Sequence, residues 1–387
     1  MKDRSQLSNA ELATIKRRAV DRARELGAVS VRVAPAFPDE ATRDAMRAAF
    51  VRGDFTTWKY DEEYARRAAS PDAILPGARS VICIAVPYAT APPQRAPLTG
   101  RVSNYAWSID YHRRMKALLA DVASAIEEIA GEGTTAIACD TKPLAERAFA
   151  ARAGIGWVGK HTNLIVPASG SFVFLGEIAT TLLLQADEPL RKSCGSCRRC
   201  IAACPTGALR GDYTIDATRC ISDLTQRTDA LPYEMRALMG TWVWGCDICQ
   251  DVCPPTKNAG PTGVVQNAPA SRDVAAPDLI KLLTLRSSEF KRTYAKTAMG
   301  WRGAAVLRRN AAVALGNALD RSTVPALISS LGSDPHPLVR GHVAWALGRI
   351  GSPAALTALS QAGTRETDDY VTAEITQALE PYVGPAR

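Results

Sequence analysis

The feature that most constrains this chain is a block of eight cysteines, out of ten in the sequence, between residues 194 and 253. The block begins with Cys-x2-Cys-x2-Cys-x3-Cys-Pro and ends with Cys-x2-Cys-x3-Cys-Pro, and Cys220 stands alone between these motifs. Two-residue gaps let successive thiolates of one tight loop reach the corners of a single iron–sulfur cube. The pattern predicts two 4Fe–4S clusters, and therefore a protein that transfers electrons.

The ligands can be assigned from the spacing. In two-cluster ferredoxins, the cysteine of a Cys-Pro pair binds the cluster of the other motif. We therefore expect one cluster to be bound by Cys194, Cys197, Cys200 and Cys253. We expect the second to be bound by Cys204, Cys220, Cys246 and Cys249. Because Cys220 precedes Cys246 by 26 residues, an inserted loop with some secondary structure must separate them.

Zinc and disulfides are the alternative uses of such a block. Zinc sites take four ligands in paired knuckles and require neither the triple spacing nor the two Cys-Pro endings. Disulfides require an oxidising compartment, whereas the N-terminal residues MKDRSQ are charged and show neither an apolar signal region nor a twin-arginine signal. The sequence favours iron–sulfur ligation in a reducing, cytoplasmic setting.

Chain length, apolar content and net charge limit the number of domains and the kinds of partner. With 387 residues, 47% of them hydrophobic, the chain is expected to form two or three domains. No apolar stretch approaches the roughly 20 residues of a membrane span, so we expect no membrane partner. The net charge of +8 permits an acidic partner such as nucleic acid without requiring one.

Hydrophobic periodicity predicts alternating helices and strands in the first half of the chain. Helices are expected over residues 11–27 and 110–132, and strands over 29–35, 80–88, 134–140 and 171–184. This order predicts an α/β or α+β domain over residues 1–185. A ferredoxin-like domain with the two clusters is expected over residues 186–265.

The last third of the chain is predicted to be helical. Residues 254–277 are rich in Pro, Gly and Ala and are typical of a linker. The tetrads VALG (313–316), WALG (345–348) and QALE (377–380) then recur at a spacing of 32, which is typical of HEAT-like helix pairs. We assign residues 266–387 to this linker and a HEAT-like domain.

Basic residues are concentrated at the start of this helical region. From residue 281 to 321 there are nine Lys or Arg and two acidic residues. Such a surface can follow a phosphate backbone, although a charged run of this kind also suits a solvated helix face. Both interpretations remain open on charge alone.

Asp140 is the candidate catalytic residue. It stands at the C-terminal end of a predicted buried strand, where a short loop leads toward a helix. In an apolar pocket, desolvation would raise its pKa and leave it protonated, so that it could donate a proton. Alternatively, Asp140 caps the N-terminus of a helix that begins near Pro143.

Several segments, taken together and in this order, resemble the epoxyqueuosine reductase family over nearly the whole chain. They are both cysteine motifs, the HEAT-like helices, and the segments Asn104-Tyr105-Ala106-Trp107, Asp110-Tyr111-His112, Cys139-Asp140, Glu146-Arg147-Ala148, Gly154-Ile155-Gly156-Trp157-Val158-Gly159-Lys160 and Leu175-Gly176-Glu177. The resemblance implies an enzyme that reduces epoxyqueuosine to queuosine at the wobble position of tRNA, the last step of queuosine biosynthesis. It implies cobalamin as a further cofactor, with the clusters passing electrons to cobalt.

The resemblance also implies a fold and partners. The fold is an α+β multidomain chain with a cobalamin-binding α/β domain similar to reductive dehalogenases, a ferredoxin-like module with two 4Fe–4S clusters, and C-terminal HEAT-like α-helical repeats. The repeats would hold the tRNA anticodon stem-loop, with Arg302, Arg308 and Arg309 on its phosphates. An external electron donor such as a flavodoxin or ferredoxin is expected, and the chain is expected to be a monomer.

Site residues are carried over by motif. Asp140 matches the proton donor proposed for the family. The residues expected near cobalamin are Tyr105, Asp140, Ser222, Gly245, Cys246 and Asp247. The segment Asp110-Tyr111-His112-Arg113-Arg114-Met115 resembles an Asp-x-His-x-x-Gly cobalamin motif, but Met115 replaces the glycine. We therefore reject His112 as a cobalt ligand.

Two other classes of protein remain possible from the sequence. A cobalamin-dependent reductive dehalogenase would share the cofactors, but such enzymes are typically exported and lack a basic helical repeat domain. A non-catalytic ferredoxin-type electron-transfer module would require neither Asp140 nor cobalamin.

Overall fold

The computed structural model describes residues 7–55, 57, 60–261 and 271–382. These residues form two compact units, each built from separate stretches of the chain. The first unit is drawn from Met1–Ala91, Asp110–Thr218 and Ile248–Ala268, and the second from Pro92–Ile109, Arg219–Asp247 and Pro269–Arg387. The three-domain division at residues 185 and 265 stays a prediction.

The first unit is built around a four-stranded sheet and has a separate two-stranded sheet of β5 and β6. Its helices are α1 (Asn9–Glu25), α2 (Glu40–Val51), α3 (Glu62–Ala68), α4 (Tyr111–Ala130), α5 (Glu146–Arg152), α6 (Arg199–Ala203), α9 (Ile248–Asp251) and α10 (Pro254–Ala259). Its strands are β1 (Ser30–Pro35), β2 (Ser80–Pro87), β4 (Thr135–Ala138), β5 (Trp157–Val158), β6 (Leu164–Ile165) and β7 (Val173–Thr180).

The second unit is mainly helical. Its helices are α7 (Ile221–Leu224), α8 (Tyr233–Arg236), α11 (Arg272–Ala275), α12 (Leu279–Leu283), α13 (Ser287–Thr293), α14 (Ala304–Ala318), α15 (Val324–Ser333), α16 (Pro337–Ile350), α17 (Pro353–Gly363) and α18 (Asp369–Leu379). Its strands are β3 (Arg101–Val102) and β8 (Trp242–Trp244). In neither unit do the described residues form a helix that is both long and apolar enough to cross a membrane.

The sheet of the first unit is entirely antiparallel, in the order β1-β2-β7-β4. The sequence left the α/β and α+β classes open. Because this sheet is antiparallel, the unit belongs to the α+β class. The central strand β2 is buried along its whole length because helices cover both faces. On one face, Gly176 of β7 closely approaches Met115 and Leu119 of α4. On the other, Phe149 of α5 packs with Cys83 and its neighbours.

Local signals explain why the two long helices begin and end near the predicted bounds. Ser8 forms a capping box with Glu11 ahead of α1, and Asp110 accepts a hydrogen bond from the His112 amide ahead of α4. Both helices end at a glycine with positive φ, which is Gly27 after α1 and Gly131 after α4. The predicted helices over 11–27 and 110–132 are therefore confirmed to within about two residues.

The predicted linker over residues 254–277 contains helical turns. Helix α10 begins directly after Cys253 with two prolines, which suit the first turn of a helix because its N–H groups lack intrahelical partners. Helix α11 begins after Ser271, whose side chain accepts a hydrogen bond from the Val274 amide. Residues 262–270 of the predicted linker lie outside the described residues.

The 32-residue repeat of the second unit has a packing explanation. Helices α14, α16 and α18 contain the recurring tetrads and pack side by side. A Cβ atom at Gly316 would lie 2.7 Å from the Trp345 ring, and one at Gly348 would lie 2.7 Å from the Ala378 Cβ. Glycine at these two positions lets neighbouring helices approach closely. The HEAT-like prediction is confirmed.

Helix α14 also binds the backbone of the segment from residue 219 to 247. Asn310 donates from Nδ2 to the carbonyls of Thr225 and Val243, both at 2.8 Å. Asn317 donates to the carbonyls of Arg236 and Gly240, at 2.8 and 2.9 Å. Since buried carbonyls need donors, these side chains fix a segment with little regular structure against the repeats.

A buried ion pair makes a further link within the second unit, and we expect its loss to be costly. Arg236 Nη1 donates to Glu374 Oε2 at 2.6 Å, with 3% and 8% of the two side chains exposed. Glu374→Ala leaves the guanidinium buried without its partner, so the free energy of unfolding should fall by about 3–5 kcal/mol. Scanning calorimetry of the whole chain measures the change.

The control is Glu128→Ala, which removes the exposed Arg18–Glu128 pair and should change stability by less than about 1 kcal/mol. Equal effects of the two substitutions would contradict a structural role for the Arg236–Glu374 pair.

Candidate active site and cofactor residues

Asp140 lies just beyond β4, in a strained backbone conformation. Its φ of +55° is in the left-handed region, which non-glycine residues rarely adopt. Its backbone N–H donates to the carboxylate of Glu146, the first residue of α5. The N-cap of α5 is Ala145, and no side chain caps this helix. The alternative prediction that Asp140 caps the helix is therefore wrong.

The Asp140 carboxylate is bound by two side chains at the start of α4. The Tyr111 hydroxyl donates to Asp140 Oδ2 at 2.6 Å, and His112 Nε2 lies 3.1 Å from the same oxygen. The other ring nitrogen of His112, Nδ1, lies 2.7 Å from Asp110 Oδ1. A histidine with a carboxylate at each nitrogen donates from both only as the imidazolium.

These contacts set the charges of the pair. Burial alone would lower the pKa of His112, but its hydrogen bonds to Asp110 and Asp140 outweigh that effect and raise the pKa to about 9. Hydrogen bonding to His112 holds the pKa of Asp140 below its ordinary value, against the opposing effect of burial. In this conformation the proton belongs to His112. The rise in the Asp140 pKa was expected only for an apolar pocket, and that condition is not met, because Tyr111 and His112 bond the carboxylate and 60% of the side chain is exposed.

Aromatic rings surround the Asp140 carboxylate. Tyr111 stacks on Phe174 of β7, with ring centroids 4.5 Å apart and planes 3° apart. Tyr60 and Tyr64 stack on each other at 4.2 Å, and the negative charge of Asp140 contributes to the raised pKa of both, after burial. Sequence reasoning missed these rings. Tyr60 directly precedes Asp61, the N-cap of α3, and Tyr64 lies in the first turn of that helix.

Four of the predicted cluster ligands come together in the first unit. The pKa of Cys253 is raised by burial and also by the proximity of Cys194 and Cys197. That of Cys200 is raised by burial and by the proximity of Cys194 and Cys253. The structure therefore brings Cys253 from the second motif to the three cysteines of the first.

The described residues include no group of three or more His, Cys, Asp or Glu side chains placed to hold a metal ion. This finding is compatible with the convergence of the four thiols. Each thiolate of a 4Fe–4S cube binds a different iron, so the four lie further apart than the ligands of one ion.

Lys160 supports the loop that carries the first cysteines. Its Nζ donates to the carbonyl oxygens of Gly195, at 2.7 Å, and Cys197, at 3.1 Å. This contact connects the glycine-rich run ending at Lys160 with the cysteine block. The sequence pattern included Lys160 in this run but predicted no role for it.

The other four cysteines are divided between the two units, with Cys204 and Cys249 in the first and Cys220 and Cys246 in the second. Burial would raise the pKa of Cys204, but hydrogen bonds from the Thr206 hydroxyl and from nearby backbone amides lower it overall. A stabilised thiolate is the form that binds iron.

The residues predicted to lie near cobalamin, apart from Asp140, are in the second unit. Asp247 accepts hydrogen bonds from Ser103 Oγ at 2.5 Å and from the Asn104 amide at 2.7 Å. Tyr105 accepts from Trp244 Nε1 at 3.0 Å. Asp247 therefore fixes the turn that carries Tyr105, and the two lie in one hydrogen-bonded cluster with the end of β8.

Gly245 and Ser222 belong to the same region. Gly245 has a φ of +63°, and a Cβ atom there would lie 2.5 Å from the Ser103 Cβ, so no larger residue fits. Its amide donates to Thr225 Oγ1 at 2.9 Å, and that hydroxyl donates to the Ser222 carbonyl at 3.1 Å. The structure brings Gly245 beside the Tyr105 turn and connects Ser222 through Thr225.

The three arginines predicted to bind phosphates have different environments. Arg309 is 0% exposed and donates to the carbonyls of Asp229 and Leu224, at 2.9 and 3.0 Å. This placement does not fit a phosphate contact, because an interior guanidinium bonded to backbone is not available to RNA. Arg308 is largely buried in an ion pair with Asp334 at 2.7 Å.

Arg302 fits the prediction better. It lies over the ring of Trp301, 3.6 Å from the ring centroid, and half of Trp301 is exposed. Apart from Arg321, which lies ahead of α15, the exposed cations of the basic run lie on or near α12 and α13. They are Lys281, Arg286, Lys291, Arg292 and Lys296.

Family models match three parts of the chain. Residues 68–141 match the model described as epoxyqueuosine reductase QueG, DUF1730, residues 193–256 match a 4Fe-4S double cluster binding domain, and residues 302–380 match HEAT repeats. The predicted iron–sulfur and repeat regions agree with these matches.

Relatives cover most of the chain. The epoxyqueuosine reductase of Bacillus cereus is 36% identical over 327 residues, which are 83% of this chain and 86% of the relative. A solved epoxyqueuosine reductase with a tRNA-Tyr epoxyqueuosine-modified stem loop is 32% identical, covers 95% of this chain and 99% of its own, and has a TM-score of 0.89. A Bacillus subtilis structure, with its aspartate catalytic loop swung out of the active site, has the same TM-score and coverage at 31% identity.

The predicted likeness to reductive dehalogenases is weak and partial. A catabolic reductive dehalogenase matches 65% of this chain at 13% identity with a TM-score of 0.34, which carries no argument about fold or cofactor. The dehalogenase alternative is not favoured. Sequence identity over most of the chain and the solved relatives agree instead on one assignment, and this chain belongs to the epoxyqueuosine reductase family.

Proposed function

We propose that this protein reduces epoxyqueuosine to queuosine at the wobble position of tRNA, the last step of queuosine biosynthesis, in the cytoplasm where tRNA is modified. The observation that carries the proposal is the match, over 95% of this chain, to a relative solved with an epoxyqueuosine-modified tRNA stem loop. The reaction removes the epoxide oxygen as water and leaves a double bond, which consumes two electrons and two protons.

The eight-cysteine block fits two 4Fe–4S clusters by the chemistry of its donors. Thiolates are the ligands these clusters require, and the double-cluster model spans all eight cysteines. For the first cluster we propose the four thiols that come together in the first unit. They are Cys194, Cys197, Cys200 and Cys253. For the second cluster, the set of Cys204, Cys220, Cys246 and Cys249 stays a prediction from spacing.

Cobalamin is proposed as the group at which reduction takes place. When bound, it supplies a strongly reducing, nucleophilic cobalt centre for attack on the epoxide-bearing ring. The Tyr105 and Ser222 side chains are partly exposed and carry hydroxyl groups that can bond the amide side chains of a corrin. His112 offers cobalt no free nitrogen, since Asp110 and Asp140 engage both.

The chain's own contribution to the reaction is the proton. His112 holds it at Nε2, 3.1 Å from Asp140 Oδ2, and Asp140 passes it to an oxygen that leaves beside its carboxylate. Tyr111 fixes the carboxylate by its hydrogen bond at 2.6 Å. We infer that the loop of Asp140 corresponds to the catalytic loop that is swung out of the active site in the Bacillus subtilis relative.

The remaining partners are proposed from surface chemistry. The exposed cations of α12 and α13, with the Trp301–Arg302 pair, suit the phosphates and bases of an anticodon stem-loop. A flavodoxin or ferredoxin is proposed as the external electron donor, and the chain is proposed to act as a monomer. Arg308 and Arg309 are left out of the RNA surface because the protein interior engages them.

The Asp140→Asn variant tests the proton donor. Turnover, measured as queuosine formed in tRNA, should fall by about 100-fold or more because the amide cannot deliver a proton. Iron content and folding should not change. Asp121→Asn is the control, since Asp121 pairs with Arg22 on an exposed part of α4 and should not affect turnover. Unchanged turnover in Asp140→Asn would remove Asp140 from the mechanism.

The Cys200→Ala variant tests the ligand assignment. It should lose about half of the iron, with one of two cluster signals missing from the electron paramagnetic resonance spectrum of the reduced protein. Cys83→Ala, which removes a buried thiol outside the cysteine block, should retain full iron content. Full iron in Cys200→Ala would show that the assignment is wrong.

The pH dependence tests the role of His112. Its raised pKa means that the imidazolium is present below pH about 9 and is lost as the pH rises through that value. Turnover should therefore fall above pH about 9. His112→Gln should lower turnover near neutral pH and abolish the alkaline decline, whereas His336→Asn should retain the wild-type profile. An identical profile in His112→Gln would contradict the assignment.

A further inference from the structure

Two glutamates lie next to the Asp140 loop, one half-buried (Glu146) and one fully buried (Glu177), and the proposed proton transfer uses neither. Glu146 begins α5, and Glu177 lies on β7, where it is opposite Cys83 of β2 and Ala138 of β4 in the sheet register. Glu177 is 0% exposed. Carboxyl groups are seldom placed in such positions unless they are paired or protonated.

Glu146 is the direct contact of the loop. Its carboxylate accepts the hydrogen bond of the Asp140 amide, which holds the left-handed residue in place. The neighbouring Arg147 donates from Nη1 to the Thr162 carbonyl at 2.7 Å, and its positive charge favours the ionised form of Glu146, against the larger effect of burial on the Glu146 pKa. From this loop, the Glu146 carboxylate therefore accepts the hydrogen bond of the Asp140 amide.

Among the residues that the structure describes, Glu177 has no hydrogen-bond donor. Both of its carboxylate oxygens are buried, and neither has a hydrogen-bond partner in the part of the chain that the structure describes. The charged groups that act on it are the carboxylates of Glu146 and Asp140, and both disfavour its ionisation, as burial also does. Helix α5, which begins with Glu146, packs against β7, and the interaction with the Glu146 carboxyl group adds to burial in raising the pKa of Glu177.

Two ionised carboxylates can only accept, so they cannot bond each other. One proton shared by the pair changes this, because a protonated Glu177 donates to Glu146 while Glu146 stays charged and still accepts from Asp140. With no proton the two charges repel, and with two protons Glu146 becomes a weaker acceptor. A single proton lets the two carboxyl groups bond each other and leaves one Glu177 oxygen without a donor among the described residues.

We propose that Glu146 and Glu177 form an acid clamp, in which a protonated Glu177 donates to the Glu146 carboxylate and Glu146 in turn holds the Asp140 amide. Both are positioning residues, since they act on the reaction through Asp140. The clamp keeps the Asp140 loop beside Tyr111 and His112, and its release frees the loop. Its effect on turnover rests on the proposed function, but the clamp itself does not.

The test uses the full-length protein and two readouts that need no turnover. Infrared spectroscopy at neutral pH detects the C=O stretch of a carboxylic acid, which is separate from the bands of ionised carboxylates. Hydrogen–deuterium exchange with mass spectrometry follows the amides of residues 139–146. The variants are Glu146→Ala, which removes the acceptor, and Glu177→Gln, whose amide donates to Glu146 but cannot ionise.

Glu127→Ala is the matched control. Glu127 accepts from the amide and hydroxyl of Thr135, at 3.1 and 2.8 Å, and so holds the other end of β4 in the same way. This substitution should speed exchange near residue 135 and leave the Asp140 loop unchanged.

We expect an acid band in the wild-type protein that Glu177→Gln lacks. Exchange at the Asp140 loop should be about ten-fold faster in Glu146→Ala and within about two-fold of wild type in Glu177→Gln, because only the former loses the hydrogen bond. Turnover should fall about ten-fold in Glu146→Ala alone.

Three results would overturn the clamp: absence of the acid band in the wild type, persistence of the band in Glu177→Gln, or unchanged loop exchange in Glu146→Ala. The first of these needs no variant, so the proposal stays testable if a substitution prevents folding. Loss of the proposed tRNA activity with the infrared and exchange results intact would count against the function and not the clamp.

Discussion

The hydrogen bonds that hold Asp140 are the constraint on which the candidate active site depends. Tyr111 and His112 at the start of α4 bind its carboxylate, and Glu146 at the start of α5 binds its amide. The end of β4 and the beginnings of two helices thus meet at one residue with a left-handed backbone. Strain of this kind persists only where surrounding contacts over-determine the conformation.

The same contacts explain the charges. A carboxylate next to an imidazolium keeps its own proton only at low pH, so the neutral Asp140 expected from an apolar pocket does not form in this conformation. The proton is stored instead on His112, which Asp110 also stabilises. The pair of His112 and Asp140 therefore holds a transferable proton near neutral pH, and neither residue has to be a carboxylic acid buried away from water.

In the second unit, the HEAT-like helices do more than offer a basic surface. Asn310, Asn317 and Arg309 of α14 bond the backbone of the segment that carries Cys220 and Cys246. The repeats are therefore a scaffold for residues predicted to contact cofactors. A repeat array of about two and a half units needs such additional packing, because terminal repeats expose an unpaired face.

Features governed by local spacing were predictable from the sequence. The cysteine motifs and the helices that end at Gly27 and Gly131 depend on neighbours within a turn or a loop, and the HEAT-like helices are marked by a regular 32-residue repeat. Features governed by tertiary contacts were not. His112 and Asp140 are 28 residues apart, and nothing in either segment shows that they bond.

The number of basic residues in a segment was the least reliable predictor of which side chains contact RNA. The run from Lys281 to Arg321 suggested phosphate contacts, yet Arg309 points into the interior while Lys281 is exposed. A count of charges does not say which side of a helix faces the core. The strand order was also beyond the sequence, because alternation of helices and strands suits parallel and antiparallel sheets alike.

The most direct test of the central claim is anaerobic incubation of cluster-loaded, pre-reduced protein with epoxyqueuosine-containing tRNA, followed by mass spectrometry of the nucleosides. The account predicts the loss of one oxygen atom from the modified nucleoside when cobalamin is present, and no loss when it is omitted. An unchanged nucleoside, with both clusters and cobalamin verified in the protein, would contradict it.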